Sequence, residues 1–400
     1  MTTLGLAIFD DAAGHFGPLT DTRAVFELRT GALTTLQRIE QRLGANAANL
    51  DVPPRLRAVV AERHNSCAIN TPPAGPTRLV NGRWLGLDAA DRVAALEPGQ
   101  ALLQRDGQLV AACLDEPRQI DALRAGDLAG IQVQQSGDTL LVERPWHLLD
   151  ALDATLRADL AHTHLPQARP EHWPGLTVAG SHPLHIDPSV QMLGPVAVDA
   201  RHGPVVIERD TLIHGFAAIQ GPCYVGPGCE LGAHVTLRRL TSLGPRCRVA
   251  GELAVTIIQE HTNKAHHGYL GCAIVGSGCN LGAGTDVSNL KNTLGEVRVQ
   301  LTPDAPAEPT GRARQGPILG DHVRTAIGTR LMTGSVIGTG CMIAVSGYAP
   351  KCAARFGFYT DAGRAEHDLQ ALLITIERMR KTPATDAERK LLHALCAQVA

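Results

Sequence analysis

Aromatic residues are scarce: six Phe, four Tyr and three Trp in 400 residues. Any core must therefore be aliphatic. An excess of one charge is also missing, with 37 Lys and Arg against 39 Asp and Glu and a formal net charge of −2. That balance argues against a protein that coats nucleic acid or an anionic membrane. No stretch approaches the roughly 18 consecutive apolar residues of a membrane span. The segment Met1–Asp11 has no basic n-region, and its apolar part ends in Asp10 and Asp11. It reads as a first strand rather than a signal peptide. The ten cysteines contain no CxxC pair, which disfavours a zinc ribbon or a thioredoxin-type site. Without a secretion signal they are expected to be reduced thiols of a cytoplasmic protein. Neither GxGxxG nor a Walker sequence occurs.

What is abundant is glycine, with 41 residues, and proline, with 25, yet without a low-complexity tract. The apolar fraction of 44% suffices for real cores. In the second half aliphatic residues recur at every sixth position: Ile207, Ile213, Ile219, Val225, Leu231, Leu237, Leu243, Val249 and Val255. The step returns at Val275, Leu281 and Val287, and again at Leu319, Thr325, Leu331, Ile337 and Ile343. Four residues after most of these markers stands a small or β-branched side chain, including Cys223, Cys229, Cys247, Cys279 and Cys341; Leu253 is the misfit. A period of six suits neither a helix nor simple strand alternation. It predicts a left-handed parallel β-helix, three hexads to a coil of about 18 residues. The cysteines in the small slot then read as packing, not as ligands. The register breaks between Val255 and Val275, and between Val287 and Leu319. The second break contains Thr302–Thr310, polar and proline-rich, which predicts a loop expelled from the coil.

The ends differ. Leu4–Phe9, Thr77–Val80 and Gln108–Cys113 read as strands. Leu33–Leu43, Ala89–Leu96 and His147–His162 read as helices. The mixture predicts an α/β domain over 1–175, of Rossmann-like type. The coil is then expected over 176–350 and a helical segment over 351–400. In that segment Gly363–Lys381 carries Leu369, Leu372, Ile376 and Met379 at helical spacing. A second helix from Asp386 carries Leu391, Leu392, Leu395 and Val399, with Thr385 or Asp386 as its cap.

The stretch Glu260–Gly271 places His261, Lys264, His266, His267 and Tyr269 close together where the register breaks. A second polar set follows: Asn280, Thr285, Asp286, Ser288, Asn289, Lys291 and Asn292. A histidine base beside Asn and Lys donors suits acyl transfer, in which an amine or hydroxyl loses its proton as it attacks a thioester. A plain polar edge of the coil, or a zinc site, are the competing readings. After the first strand, Gly14–Arg23 could cradle phosphates or form an ordinary turn.

Phe9–Asp11 with Pro18–Gly31 resembles the start of a family of sugar nucleotidyltransferases. These are relatives of the bifunctional N-acetylglucosamine-1-phosphate uridylyltransferase/glucosamine-1-phosphate N-acetyltransferase. The same resemblance covers Val249–Glu252, Asn263–Gly271, Cys279–Thr285, Ser288–Asn292, Leu319–His322 and Thr333–Gly334. It implies a nucleotidyltransferase-like domain followed by a β-helical acyltransferase. By that resemblance His266, or His267, is the general base. Lys264, Tyr269, Asn280, Asn289 and Lys291 would bind substrate, and Ala283, Arg324 and Arg330 an acetyl-CoA or other acyl-CoA. Asp10, Arg23, Arg29 and Asn81 are the positions implied to face a nucleotide. The N-terminal motif is reduced, however: the phosphate loop shrinks to Ala13-Gly14-His15, and Asn81 stands near the expected metal-binding Asp. No metal site is therefore expected, and Mg²⁺ would be needed only if that domain were active. Three readings follow: an acyltransferase acting on an amino sugar or sugar phosphate, an active sugar-1-phosphate nucleotidyltransferase with a structural coil, or a non-catalytic scaffold binding a nucleotide sugar. A homotrimer is expected, with no nucleic-acid or membrane partner.

Overall fold

A computed structural model describes residues 4–73, 75–115, 123 and 126–398. The expected apolar residue Val399 lies outside them. The chain divides into two compact units, one of residues 1–16, 22–28 and 33–144, the other of 17–21, 29–32 and 145–400.

The first unit is built on a seven-stranded sheet in the order β3-β2-β1-β4-β6-β5-β7. Its strands are β1 (Gly5–Phe9), β2 (Asn49–Asp51), β3 (Ala68–Ile69), β4 (Thr77–Asn81), β5 (Gln100–Leu103), β6 (Leu109–Leu114) and β7 (Gln132–Gln135). β1 pairs in parallel with β2 and β4, and Phe9 stands opposite Asn81 at their carboxyl ends. β6 runs antiparallel to β4 and β5. Leu6, Ile8, Phe9, Leu79, Val80, Leu102 and Val110 are buried, so the central strands read as continuous apolar runs. The first helix (Thr35–Leu43) starts two residues later than expected because Thr34 caps it, accepting from Gln37 N, and Gly44 ends it in the left-handed region. In the second unit, the stretch His147–His162 forms two helices, Pro145–Asp150 and Leu152–Leu160, rather than one.

The second unit is a left-handed parallel β-helix with three faces. The first face runs from Leu176–Ala179 to Tyr269–Gly271, the second from Leu184–Ile186 to Cys352–Ala353. The third begins at Gln191–Met192 and ends with the antiparallel pair Gly357–Thr360 and Gly363–Glu366. Inward aliphatic residues from all three faces form one continuous core, which also takes in Cys223, Cys229, Cys247, Cys279 and Cys341. All ten cysteines are free.

The first register break is a shortened coil. Leu253, the apparent misfit, is fully buried in the inward row. Val255, the apparent marker, is a half-buried corner residue at φ 49°. The inward row continues through Ile258, Lys264, Leu270 and Val275. A lysine thus stands in register with Val249 and Leu231, aliphatic residues of the same inward row. The second break does extrude a loop, which folds back as an antiparallel pair of Arg298–Val299 with Glu308–Pro309. At the C-terminal end the expected helix over Gly363–Lys381 begins only at Leu369, capped by Asp368, because Gly363–Glu366 extends the third face. Thr385 caps the last helix, Asp386–Ala397, its hydroxyl accepting from Glu388 N while its own N–H donates back to the Glu388 carboxylate. No helix among the described residues is long and apolar enough to cross a membrane.

Candidate functional site

The corner joining the third face to the first carries the densest polar chemistry. Ala265–Gly268 makes one storey of it, Gly282–Gly284 the next. Gly268 sits at φ 122°, and a Cβ there would lie 2.2 Å from Thr285 O, so only glycine lets the two storeys stack. His266 and His267 are exposed on this corner. The backbone of His267 accepts from Gly284 N at 3.3 Å.

Immediately beyond the corner, Tyr269 faces outward on the first face. Its backbone N–H donates to Asp286 Oδ1 at 2.5 Å. Its hydroxyl accepts from Asn289 Nδ2 at 3.1 Å, and the same amide donates to Cys272 Sγ at 3.3 Å. Burial pushes the Tyr269 hydroxyl and the Cys272 thiol up, so both stay protonated near neutrality. Asn289 is buried, and its carbonyl accepts from Gln315 N at 2.8 Å. Asp286 pairs in register with Arg330. The Arg330 guanidinium lies 5.5 Å from the centre of the Tyr348 ring, which is 63% exposed.

Of the residues expected to act together, the structure groups His266, His267, Tyr269, Asn289, Ala283 and Arg330 along this corner and the adjoining face. Others stand apart. Lys264 is 1% exposed, and its Nζ donates to Ala250 O at 3.2 Å and to His266 O at 2.6 Å. Burial lowers its pKa to about 8, against the raising field of Asp286. It braces the His266 corner from inside and does not face solvent. Asn280 and Arg324 pair in register on the third face, so Asn280 and Asn289 do not share a surface and Arg324 is not beside Arg330. Lys291 is half-buried beyond Asn289, with its ammonium on Glu296 O. Cys272, Gln315 and Tyr348 join the group without a signal read from the sequence, and Asp286, part of the second polar set, carries no role there in the sequence reading. The repeat places both Asp286 and Tyr348, since Asp286 follows Tyr269 by 17 residues and Tyr348 follows Arg330 by 18, each about one coil.

The nucleotide positions of the first unit are engaged internally. Asp10 Oδ1 accepts from Ala12 N and Oδ2 from Val25 N, both at 2.9 Å. Arg23 is buried, in the field of Glu27. Asn81 donates to Asp11 Oδ2 at 2.8 Å and to Leu109 O at 3.0 Å, and its Oδ1 accepts from Arg83 N. Arg83, 1% exposed, grips Asp11 through Nε at 2.9 Å and Nη2 at 2.6 Å. Burial works to raise the Asp11 pKa, but the hydrogen bonds and charge of Arg83, with Asn81 and the Ala13 N–H, hold it below the usual carboxylate range. Mg²⁺ asks for several uncommitted oxygen ligands, and these residues do not fit it. No group of three or more His, Cys, Asp or Glu that could hold a metal occurs among the described residues. Arg29 belongs to the second unit: its N–H donates to Gln259 Oε1 at 2.8 Å, and its guanidinium lies 5.7 Å from the centre of the Tyr224 ring.

Comparison with known proteins shows what the chain is similar to. Residues 6–165 match the profile of a family described as sugar nucleotidyl transferase, and residues 204–239 match the bacterial transferase hexapeptide repeat. A bifunctional sugar-1-phosphate nucleotidylyltransferase/acetyltransferase from Sulfurisphaera tokodaii is 33% identical over 151 residues, 37% of each chain. The bifunctional protein GlmU of a Nostoc species is 28% identical over 189 residues, 39% of this chain and 40% of its own. That of Methanocaldococcus jannaschii is 30% identical over 122 residues, 30% of this chain and 28% of its own. The chain thus spans at most about two fifths of the length of these curated relatives. Over parts of its length the chain is thus similar to a sugar nucleotidyl transferase family, to the hexapeptide repeat of bacterial transferases and to the bifunctional nucleotidyltransferase/acetyltransferases.

Proposed function

We propose that the coil transfers an acyl group from an acyl-CoA to an amino sugar or its phosphate. The observation that carries this reading is the pair of exposed imidazoles, His266 and His267, at the edge of the Tyr269–Asn289–Asp286 array. Acyl-CoA, when bound, supplies an activated thioester. His266, with His267 beside it, takes the proton from the attacking nitrogen or hydroxyl; neutral imidazole is the side chain suited to that task near pH 7. Tyr269 and Asn289 orient the acceptor through the edges of their hydrogen-bonded pair. Lys291 supplies a cation for a sugar phosphate. The small Ala283 leaves room at the corner, and Arg330 on Tyr348 offers a cation and an aromatic face to a phosphate-bearing, base-bearing donor. These groups line an open surface, which a second copy of the chain would close into a cleft, and we include a homotrimer in the proposal. The acetyltransferase relatives support the same chemistry.

The functional division in this reading is 1–175, 176–350 and 351–400. The first part binds a nucleotide sugar or supports the fold. The Asp11–Arg83 clamp speaks against phosphoryl chemistry there. The test is thiol release from acetyl-CoA with a panel of amino sugars and their phosphates, products read by mass spectrometry. His266→Ala should lower turnover by about 10²–10⁴ with acyl-CoA binding retained. Full transfer in both His266→Ala and His267→Ala would overturn the assignment of the base. No transfer by the wild type to any acceptor would favour the scaffold reading.

A further inference from the structure

Arg324 is buried without a counter-charge among the described residues. It points outward on the third face, in register between Asn280 and Met342, and is 9% exposed. Its Nη1 donates to Met379 Sδ at 3.0 Å, on the helix Leu369–Arg380. A thioether is a weak acceptor. Its Nε and Nη2 are buried and meet no acceptor among the described residues. A guanidinium does not shed its proton to escape burial, and an unpaired buried charge is costly. Elsewhere in this unit the chain pairs its half-buried arginines: Arg355 with Asp21 at 2.5 Å, and Arg312 with Asp150.

The two unpartnered nitrogens are not scattered. Nε and Nη2 form one edge of the guanidinium fork, the edge that grips two oxygens of a phosphate or carboxylate in parallel bonds. Beside it, Asn280 Oδ1 is turned to Asn263 Nδ2 at 3.5 Å. Its own amide nitrogen is left as a further donor. The edge itself is buried, but the Asn280 and Met342 residues that flank it are only half-buried.

We propose that Arg324 and Asn280 form an oxyanion subsite on the third face, beside the Leu369–Arg380 helix, and that it takes a phosphoryl group. The subsite lies on a different face from Tyr269 and Arg330, and it stands or falls independently of the acyl-transfer reading. The experiment is thermal unfolding of the full chain in chloride, with inorganic phosphate or acetate added at matched ionic strength, checked by calorimetric titration with phosphate. Phosphate should raise the wild-type midpoint saturably. Arg324→Met should abolish the response and be no less stable than wild type in chloride alone, because it removes an uncompensated charge. Arg324→Lys, which keeps the charge and loses the fork, should fold and bind phosphate at least tenfold more weakly. Asn280→Ala should weaken binding by a smaller factor. An unresponsive wild type, or an Arg324→Lys variant that binds as tightly as wild type, would overturn the subsite. A saturable response to acetate with none to phosphate would overturn the phosphoryl assignment.

Discussion

Replacing Lys264 by methionine tests whether the amine sits inside the coil, braced on carbonyls, or reaches solvent where a ligand could meet it. Two effects oppose each other at neutral pH. The ammonium is held with a pKa of about 8 against its ordinary 10.5, mainly by burial. That lowering corresponds to roughly 3 kcal/mol spent keeping the charge inside. The ammonium also satisfies Ala250 O and His266 O. Leaving each carbonyl unsatisfied costs about 1–3 kcal/mol. Lys264→Met, close in volume to its inward neighbours Val249 and Leu281, should therefore change stability at pH 7 by no more than about 2 kcal/mol in either direction. The pH dependence separates the terms. Below pH 8 the lysine is protonated in both folded and unfolded chains and adds no slope. Between pH 8 and 10.5 the folded chain has released its proton and the unfolded chain has not, so wild type gains stability as pH rises. Buried thiols such as Cys279, pushed up to about 12, work in the opposite direction over this range. The readout is therefore the difference between wild type and Lys264→Met, in which those thiols cancel. Urea unfolding in half-unit pH steps from 7 to 10.5 should show that difference growing by about 3 kcal/mol in favour of wild type. A difference that stays flat would place the amine in solvent and return Lys264 to the substrate-binding set.

At the acid end, burial lowers the His322 pKa to about 4 against the raising field of Asp321. The unfolded chain takes up this proton near pH 6.5 and the folded chain only near 4, so up to roughly 3 kcal/mol of stability should be lost as pH falls across that window. His322→Asn, which tolerates the φ of 61° there, should flatten the loss; equal acid slopes in variant and wild type would refute it. Light scattering at micromolar concentration should give three times the chain mass, and a single chain's mass would remove the shared cleft from the proposal.

The coil was legible because its code is local and repeats: one aliphatic residue per strand and one small residue per corner. Where the spacing stayed at six, side chains stood where the period put them. Where it shortened, the period misled. Leu253 sits only four residues after Val249, so continuing the count by six selected Val255, which the structure places at a corner. Gly363–Glu366 looked helical by composition but extends the third face, since pairing with Gly357–Thr360 outweighs propensity. The short strands β2, β5 and β7 carried too little pattern to be recognised.

The site was legible in its residue types and not in its partners. Lys264 and His266 are two residues apart, yet one points into the coil and the other out, a distinction set by the register of neighbouring coils rather than by the local sequence. Arg29 lies near the other expected nucleotide residues in the chain but packs on the coil, held by Gln259 some 230 residues away. Such long-range pairs leave no periodic trace.

The two units also use their polar groups differently. In the first, Asp10, Asp11, Asn81 and Arg83 bond one another and the backbone, and Arg83 also reaches Val142 O at 3.2 Å and Gln108. A satisfied buried network of this kind rigidifies the carboxyl ends of β1 and β4, where an α/β fold commonly binds its ligand. For Asp11 to accept a metal or a hydrogen bond from a ligand, it would first have to release a two-point ion pair with a nearly inaccessible guanidinium, leaving that charge unpaired. Breaking such a pair typically costs 3–5 kcal/mol, which a ligand's own contacts would have to exceed before any affinity appeared. On the coil the balance is reversed: His266 and His267 face solvent, and the Arg324 fork has an edge to spare. Uncommitted donors and bases are what chemistry on a bound molecule requires, and His266, His267 and the Arg324 edge supply such groups on the coil.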